Sequence, residues 1–290
     1  MAYLTPDEIR EVLSEEGHED VAETLVATAR AALALDREDV DDASIPVGAS
    51  KLGGDPDLPA GFSWPEWNGR PLAFLGQVRL GDLPRVEGGL ALPRSGLLSF
   101  FCDYIETPWG FDPAHRGGAV VVHTAEGERL SRVPTPAGAI PDDIGFEGNS
   151  FLACRVGFRV VTTYRLDEER LGEDGELLDL LHETLAEGQG DESPHHQIGG
   201  HPLVIQSSME LECQLVTNGI YCGDTPPASQ HERIEALTPG AADWRLLLQL
   251  DTDDLPGWMW GDMGLVYFWI REQDLAAGDF SKVWFVLQCF

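Results

Sequence analysis

The sequence predicts an α+β protein that is mainly β, with N-terminal and peripheral helices beside two lobes of rolled sheet. Three short blocks occur in the same order in both halves of the 290-residue chain, which predicts an internal duplication. The 32 glycines and 19 prolines indicate the many turns of a strand-rich protein. A hydrophobic fraction of 43% suffices for a sizeable core. The paired blocks are residues 52–56 with 198–202, 74–84 with 246–256, and 96–101 with 264–269.

Helices are predicted at the N-terminus and ahead of the second lobe. Thr5 is a suitable N-cap for a short helix that ends before Gly17, because its hydroxyl can accept a backbone N–H. Apolar residues at helical spacing predict a second helix over 19–35, with an acidic linker over 36–50. The same spacing predicts a third helix over 174–187.

Strands are predicted where apolar runs lie between glycine- and proline-rich turns. The segments are 72–78, 96–102, 118–124, 151–164 and 283–290. Because an apolar edge strand would be prone to aggregation, we expect the last of them to be central or well covered.

These elements predict three parts packed as one compact unit. A helical segment covers 1–45, a first β-rich lobe covers 46–165 and a second covers 166–290. The spacing between the paired blocks is longer in the second lobe, which predicts an insertion within 209–243.

Charge is the most unusual property of the composition. Fifty acidic residues against 19 basic ones give a net charge of -31, and only Lys51 and Lys282 are lysines. Such a surface repels nucleic acids and anionic membranes, and it attracts a basic protein partner or cations. The competing explanations of the charge are plain solubility, a high-salt habitat and a genome-wide bias against lysine codons.

The cysteines and the apolar segments indicate a cytoplasmic protein. Five scattered cysteines are an odd number, which fits reduced thiols better than a disulfide framework. No apolar run approaches the length of a membrane span, and no signal peptide is expected at the start.

Two groups of residues have the side chains of a metal site. Asp251 and Asp253, with Asp262 returning from the next loop, could supply oxygen ligands to a divalent cation such as calcium. The competing interpretation is a turn surrounded by solvated carboxylates. Three histidines could bind zinc, although their spacing fits no common zinc motif: His195, His196 and His201.

Aromatic and amide side chains are the remaining candidates for binding. Trp258 and Trp260 flank a methionine in a glycine-rich loop, where they either line a ligand or partner site or close the core. Gln77 and Gln249 occupy equivalent places in apolar strands. Each either ties its strand to irregular backbone or contacts a ligand, since a buried amide must be hydrogen-bonded.

The ordered blocks resemble the YwqG-like family, a bacterial domain family without an assigned function. The resemblance covers about residues 45–290 and rests on the segments 50–56, 62–65, 71–77, 198–202, 248–251, 259–264 and 284–289. It implies a mainly β fold with rolled sheets and a few helices, and it implies no catalytic residues.

We interpret the chain as a non-catalytic binding protein for a basic protein partner, comparable to immunity proteins that neutralise a basic toxin. The common catalytic motifs are absent from the sequence, including the nucleophile elbow and the phosphate-binding loop. The alternative is a small-ligand protein, metal-binding protein or enzyme with its site in the cleft between the lobes, lined by Asp251, Asp253, Asp262 and Trp260. A structural protein without a small ligand is the third interpretation, and the sequence predicts no oligomeric state.

Overall fold

A computed structural model describes residues 4–15, 17–142, 148–165, 194–225 and 228–290. The protein is mainly β, which confirms the predicted fold class. The described helices are α1 Pro6–Glu15, α2 Glu19–Val26, α3 Glu210–Thr217, α4 His231–Leu237 and α5 Glu272–Ala276. The predicted helix over 174–187 lies outside the described residues.

Fourteen strands are formed by the described residues. They are β1 Arg30–Asp39, β2 Lys51–Leu52, β3 Asp57–Pro59, β4 Glu66–Trp67, β5 Arg70–Pro71, β6 Ala73–Arg79, β7 Leu97–Cys102, β8 Ala119–Thr124, β9 Leu130–Arg132, β10 Cys154–Thr163, β11 Gln197–Gly199, β12 Trp244–Asp251, β13 Leu265–Arg271 and β14 Trp284–Gln288. Helix α1 and strands β6, β7, β8 and β10 lie where the sequence predicted them.

Ten of the strands form one antiparallel sheet in the order β14-β13-β12-β11-β1-β10-β2-β6-β7-β8. Strands β7 and β13 are seven positions apart, so a flat sheet would separate them by about 34 Å. The rings of Phe100 on β7 and Phe268 on β13 are nevertheless 5.2 Å apart. The sheet is therefore rolled, and its main hydrophobic core lies inside the roll.

The order of strands on the two sides of the β1–β10 pair is the same. From this pair outward, β11, β12, β13 and β14 on one side match β2, β6, β7 and β8 on the other. A register shift occurs at Leu75 in β6 and at Leu247 in β12, in each case two residues before a glutamine. These correspondences agree with the paired sequence blocks, and the internal duplication itself stays a prediction.

The predicted second helix is wrong beyond Val26. Residues 30–39 form β1, which pairs with β10 along its whole length and with β11 along part of it. Leu33 and Leu35 face the main core, whereas Ala32 and Ala34 pack with Val161 on the opposite face. An alternating run of alanine and leucine fits a helix or a strand, and pairing on both sides selects the strand. Residues 36–39 are accordingly part of β1 and not of a linker.

The last strand, β14, lies at an edge of the sheet and is covered there. Segment 109–110 packs along its outer side, where the Leu287 N–H donates to the carbonyl of Trp109 over 3.1 Å. The indole of Trp284 donates to the carbonyl of Gly110 over 2.9 Å. This cover satisfies part of an edge that would otherwise be open to pairing.

Helices lie at the periphery of the sheet. The first two, α1 and α2, form a small apolar cluster of their own with Tyr164. Helices α3 and α4 fall between β11 and β12, within the segment predicted as an insertion. Among the described residues, no helix is long and apolar enough to cross a membrane.

Candidate functional site

The loop 252–264 that follows β12 holds four of the predicted site residues: Asp253, Trp258, Trp260 and Asp262. Trp258 and Trp260 are 2% and 0% exposed, and both indoles donate to the carbonyl of Asp251, over 2.8 and 3.1 Å. Met259, between them, is 52% exposed. The two rings therefore anchor the loop in the core, and the side chain of Met259 between them is exposed to solvent.

The three predicted carboxylates have separate surroundings. Asp253 is buried, forms an ion pair with Arg37 and lies 2.9 Å from the Nε2 atom of His196. Asp251 accepts the backbone N–H of His195 over 2.8 Å. Asp262 is exposed, and its carbonyl accepts the N–H of Phe290. No group of three His, Cys, Asp or Glu that could hold a metal is found in the described part of the chain.

The predicted histidines are bonded to protein groups. Nδ1 of His196 accepts the Asp251 N–H, so its proton lies on Nε2, toward Asp253. Nε2 of His201 lies 2.8 Å from the carbonyl of Thr28. Burial lowers the pKa of His196 and lowers that of His201 to about 4. Both imidazoles are therefore neutral at pH 7 and fix irregular backbone to the sheet.

The two glutamines make the same bonds in their two halves. Gln77 accepts the Asp57 N–H over 2.9 Å and donates to the carbonyl of Ala49 over 2.8 Å. Gln249 accepts the Leu203 N–H over 2.9 Å and donates to the carbonyl of His195 over 2.6 Å. Each amide thus joins a sheet strand to the chain on both sides of a Gly-Gly turn.

A buried ionic cluster around Lys51 was missed by the sequence reasoning. Lys51 is 0% exposed, and its ammonium donates to Asp42 Oδ1 over 2.7 Å and to the carbonyl of Asp55. Arg132 reaches Asp42 and the fully buried Asp57. The signal in the sequence was that Lys51 is one of only two lysines in the chain and lies two residues before the Gly53-Gly54 pair.

Exposed apolar side chains lie in the loop of the two tryptophans and in two segments that are hydrogen-bonded to it. Met259 is joined to Tyr104, whose hydroxyl accepts the Met259 N–H over 3.0 Å. Leu152 is joined to the same loop, because its N–H donates to the carbonyl of Pro256 over 3.0 Å. The large exposed side chains in these segments are Ile105 (44%), Leu152 (50%), Met259 (52%) and Met263 (56%), which we call the methionine surface. The exposed carboxylates of Asp254 and Asp262 belong to the same loop.

A cleft lies between the two edge strands of the rolled sheet. Its volume is about 210 Å³, and β8 lines one side while β14 and the turn before it line the other. Val121, Val283 and Phe285 supply apolar walls. Arg116, His115 and Ser281 supply the polar side chains. None of the predicted site residues lies in this cleft, although it is a cleft between the two halves.

Comparison with known proteins gives a family and no function. A sequence model described as a domain of unknown function (DUF1963) matches residues 50–289. No curated protein matches this sequence.

Proposed function

Because the chain belongs to the DUF1963 family, whose function is unknown, we propose its role from the site alone: it is a non-catalytic binding protein for a basic protein partner. The observation that carries the proposal is the methionine surface beside the acidic loop 252–264. Such a protein would bind its partner in the way that an immunity protein covers a basic toxin.

Apolar and acidic groups together favour this class of partner. Methionines are flexible and polarizable, and they are common at surfaces that bind proteins. Exposed apolar side chains that come together mark protein-binding sites on soluble proteins. A net charge of -31 speeds the approach of a basic protein and repels an acidic one.

The thiols support a role without covalent catalysis. Burial raises the pKa of Cys154 to about 12 and raises the pKa values of Cys102 and Cys213 well above the usual range. A thiolate is the reactive form of cysteine, so these three are poor nucleophiles at pH 7.

The alternative reading, a ligand or metal site lined by Asp251, Asp253, Asp262 and Trp260, has less support. Arg37 and His196 already occupy the carboxylate of Asp253, and the ring of Trp260 is fully buried. A bound cation would have to displace an internal ion pair, which costs several kcal/mol (roughly 3–5).

Two narrower assignments belong to the same proposal. The blocks that resemble the bacterial YwqG-like family all lie within the matched residues 50–289, which supports that narrower family assignment. All five cysteines are free, which supports the reducing environment of the cytoplasm.

The test uses two fluorescent peptides of equal length, one of leucine and arginine and one of leucine and glutamate. The arginine peptide should bind the wild-type protein, and Met259→Asp should weaken it about tenfold, because a buried methionine contributes roughly 1.5–3 kcal/mol. Val47→Asp is the matched control, since Val47 is 51% exposed and the charge change is identical. The glutamate peptide should not bind.

Equal binding to the wild-type protein and Met259→Asp would show that charge alone attracts the peptide. That result would remove the methionine surface from the proposal. An equal loss of affinity for the arginine peptide in Val47→Asp would also remove the methionine surface from the proposal.

A further inference from the structure

The cleft between β8 and β14 has an apolar floor and a single cationic side chain at its rim. Val121 and Phe285 are 5% exposed and belong to the main core. Both line the cleft, together with Phe280 and Val283. A cavity of about 150 Å³ with such a lining takes up benzene in an engineered protein, and this cleft is larger, at about 210 Å³.

The cation is held in place by an aromatic ring. The guanidinium of Arg116 lies 5.3 Å from the ring centroid of Trp284. That indole is 4% exposed and is fixed by its hydrogen bond to Gly110. Among the described residues, no carboxylate lies within 4.0 Å of Arg116, so its hydrogen-bond donors are not taken up by an ion pair.

A second donor lies on the same rim. Nδ1 of His115 accepts the Gly110 N–H over 3.1 Å, which places the imidazole proton on Nε2. Partial burial lowers the pKa of His115, so the ring is neutral at pH 7 and acts as a hydrogen-bond donor without charge. His115 and Arg116 are adjacent in the chain and both line the cleft.

We propose that this cleft binds a small aromatic carboxylate, with its ring against Val121 and Phe285 and its carboxylate at Arg116. The planar fork of a guanidinium matches the two oxygens of a carboxylate. The apolar floor requires a ligand with an apolar body, which excludes a bare inorganic anion. This site is independent of the methionine surface and of the basic partner.

The probe is 3-phenylpropionate, added to the full chain and followed by ¹H–¹⁵N correlation spectra. For a ligand of this size we expect a dissociation constant on the order of a millimolar or somewhat below. The amide shifts should saturate and should concentrate in residues 119–121 and 283–285. The uncharged analogue 3-phenylpropanol should bind at least several-fold more weakly.

Two variants and one control test the assignment of the groups. Arg116→Gln should raise the dissociation constant about tenfold, because it removes a charge-assisted hydrogen bond. Arg129→Gln is the control, since this exposed arginine lies beyond the far end of β8 and the charge change is the same. Ala119→Phe should abolish binding by filling the cleft from an edge strand that tolerates aromatic residues.

Three results would each overturn the proposal. One is an absence of saturable shifts, and another is saturable shifts confined to other residues. The third is an equal effect of Arg116→Gln and Arg129→Gln, which would reduce the interaction to the net charge of the chain.

Discussion

Lys51 offers the sharpest test of the correspondence between the two halves. It pairs with Gln77 across β2 and β6, as Gln197 pairs with Gln249 across β11 and β12. The Lys51 ammonium donates to the carbonyl four residues ahead, that of Asp55, and the Gln197 amide donates to the carbonyl of His201, also four residues ahead. A glutamine at position 51 should therefore make the bond that Gln197 makes, whereas a methionine cannot.

The structure sets the expected magnitudes. Lys51→Met leaves the Asp55 carbonyl without its donor, at a cost of about 1–3 kcal/mol. Asp42 loses a buried partner, but it stays 25% exposed and keeps Arg132 at 3.4 Å. The loss of this ion pair therefore lowers the free energy of unfolding by about 1 kcal/mol. Burial lowers the pKa of Lys51, and removing the ammonium relieves that cost. We expect a net loss of about 2–3 kcal/mol for Lys51→Met and about 1 kcal/mol for Lys51→Gln.

The measurement is equilibrium unfolding in urea at pH 7, with Lys282→Met as the control because Lys282 is the other lysine and is exposed. The control should shift the free energy of unfolding by less than about 0.5 kcal/mol. Equal losses for Lys51→Met and Lys51→Gln would refute the correspondence. A Lys51→Met protein as stable as the wild type would refute the role assigned to the ionic cluster.

Three further predictions concern stability. Arg37→Ala should destabilise the protein by about 3 kcal/mol in the same assay, because it leaves the buried carboxylate of Asp253 with one partner fewer; a loss below about 1 kcal/mol would contradict this. Acidification from pH 6.5 to pH 4 should destabilise the protein. Burial lowers the pKa of His201 to about 4, so the unfolded chain takes up a proton that the native state refuses, at a cost of up to about 3 kcal/mol. The melting temperature of His201→Gln should fall less steeply over that interval, and an identical slope would exclude this histidine as the cause. Gly53→Ala should prevent folding or destabilise the protein strongly, because Gly53 has a φ of 61° and an added Cβ would lie 2.0 Å from the carbonyl oxygen of Leu152. In Gly61→Ala the added Cβ meets no neighbour, so this variant should lose far less stability. Similar melting temperatures of the two variants by circular dichroism would refute this prediction.

Local sequence patterns were sufficient to predict those strands whose sequence is compatible with only one type of secondary structure. β6 and β7 are apolar runs between glycine and proline turns, and both lie where the sequence placed them. β1 was missed because alternating alanine and leucine residues satisfy the helical period as well, and only β10 and β11, far along the chain, decide between the two.

The candidate site was less predictable for a related reason. Trp258 and Trp260 could be placed in a glycine-rich loop, but their burial depends on the carbonyl of Asp251, which accepts both indoles. The cleft depends on the rolling of the sheet, which brings Val121 near Phe285 from opposite edges. Neither the burial of the two indoles nor the cleft can be predicted from a short window of sequence.

The position of β1 at the centre of the sheet has a consequence during synthesis. The first partner of β1, strand β10, begins at Cys154, about 115 residues after the end of β1 at Asp39. Until β10 has been synthesised, β1 has no strand to pair with in this sheet, and pairing with β11 must wait longer still. Such distant pairing predicts slow folding and a nascent chain that needs protection by chaperones. The strands β11 to β14 of the second half therefore attach to a strand that is encoded ahead of the first half.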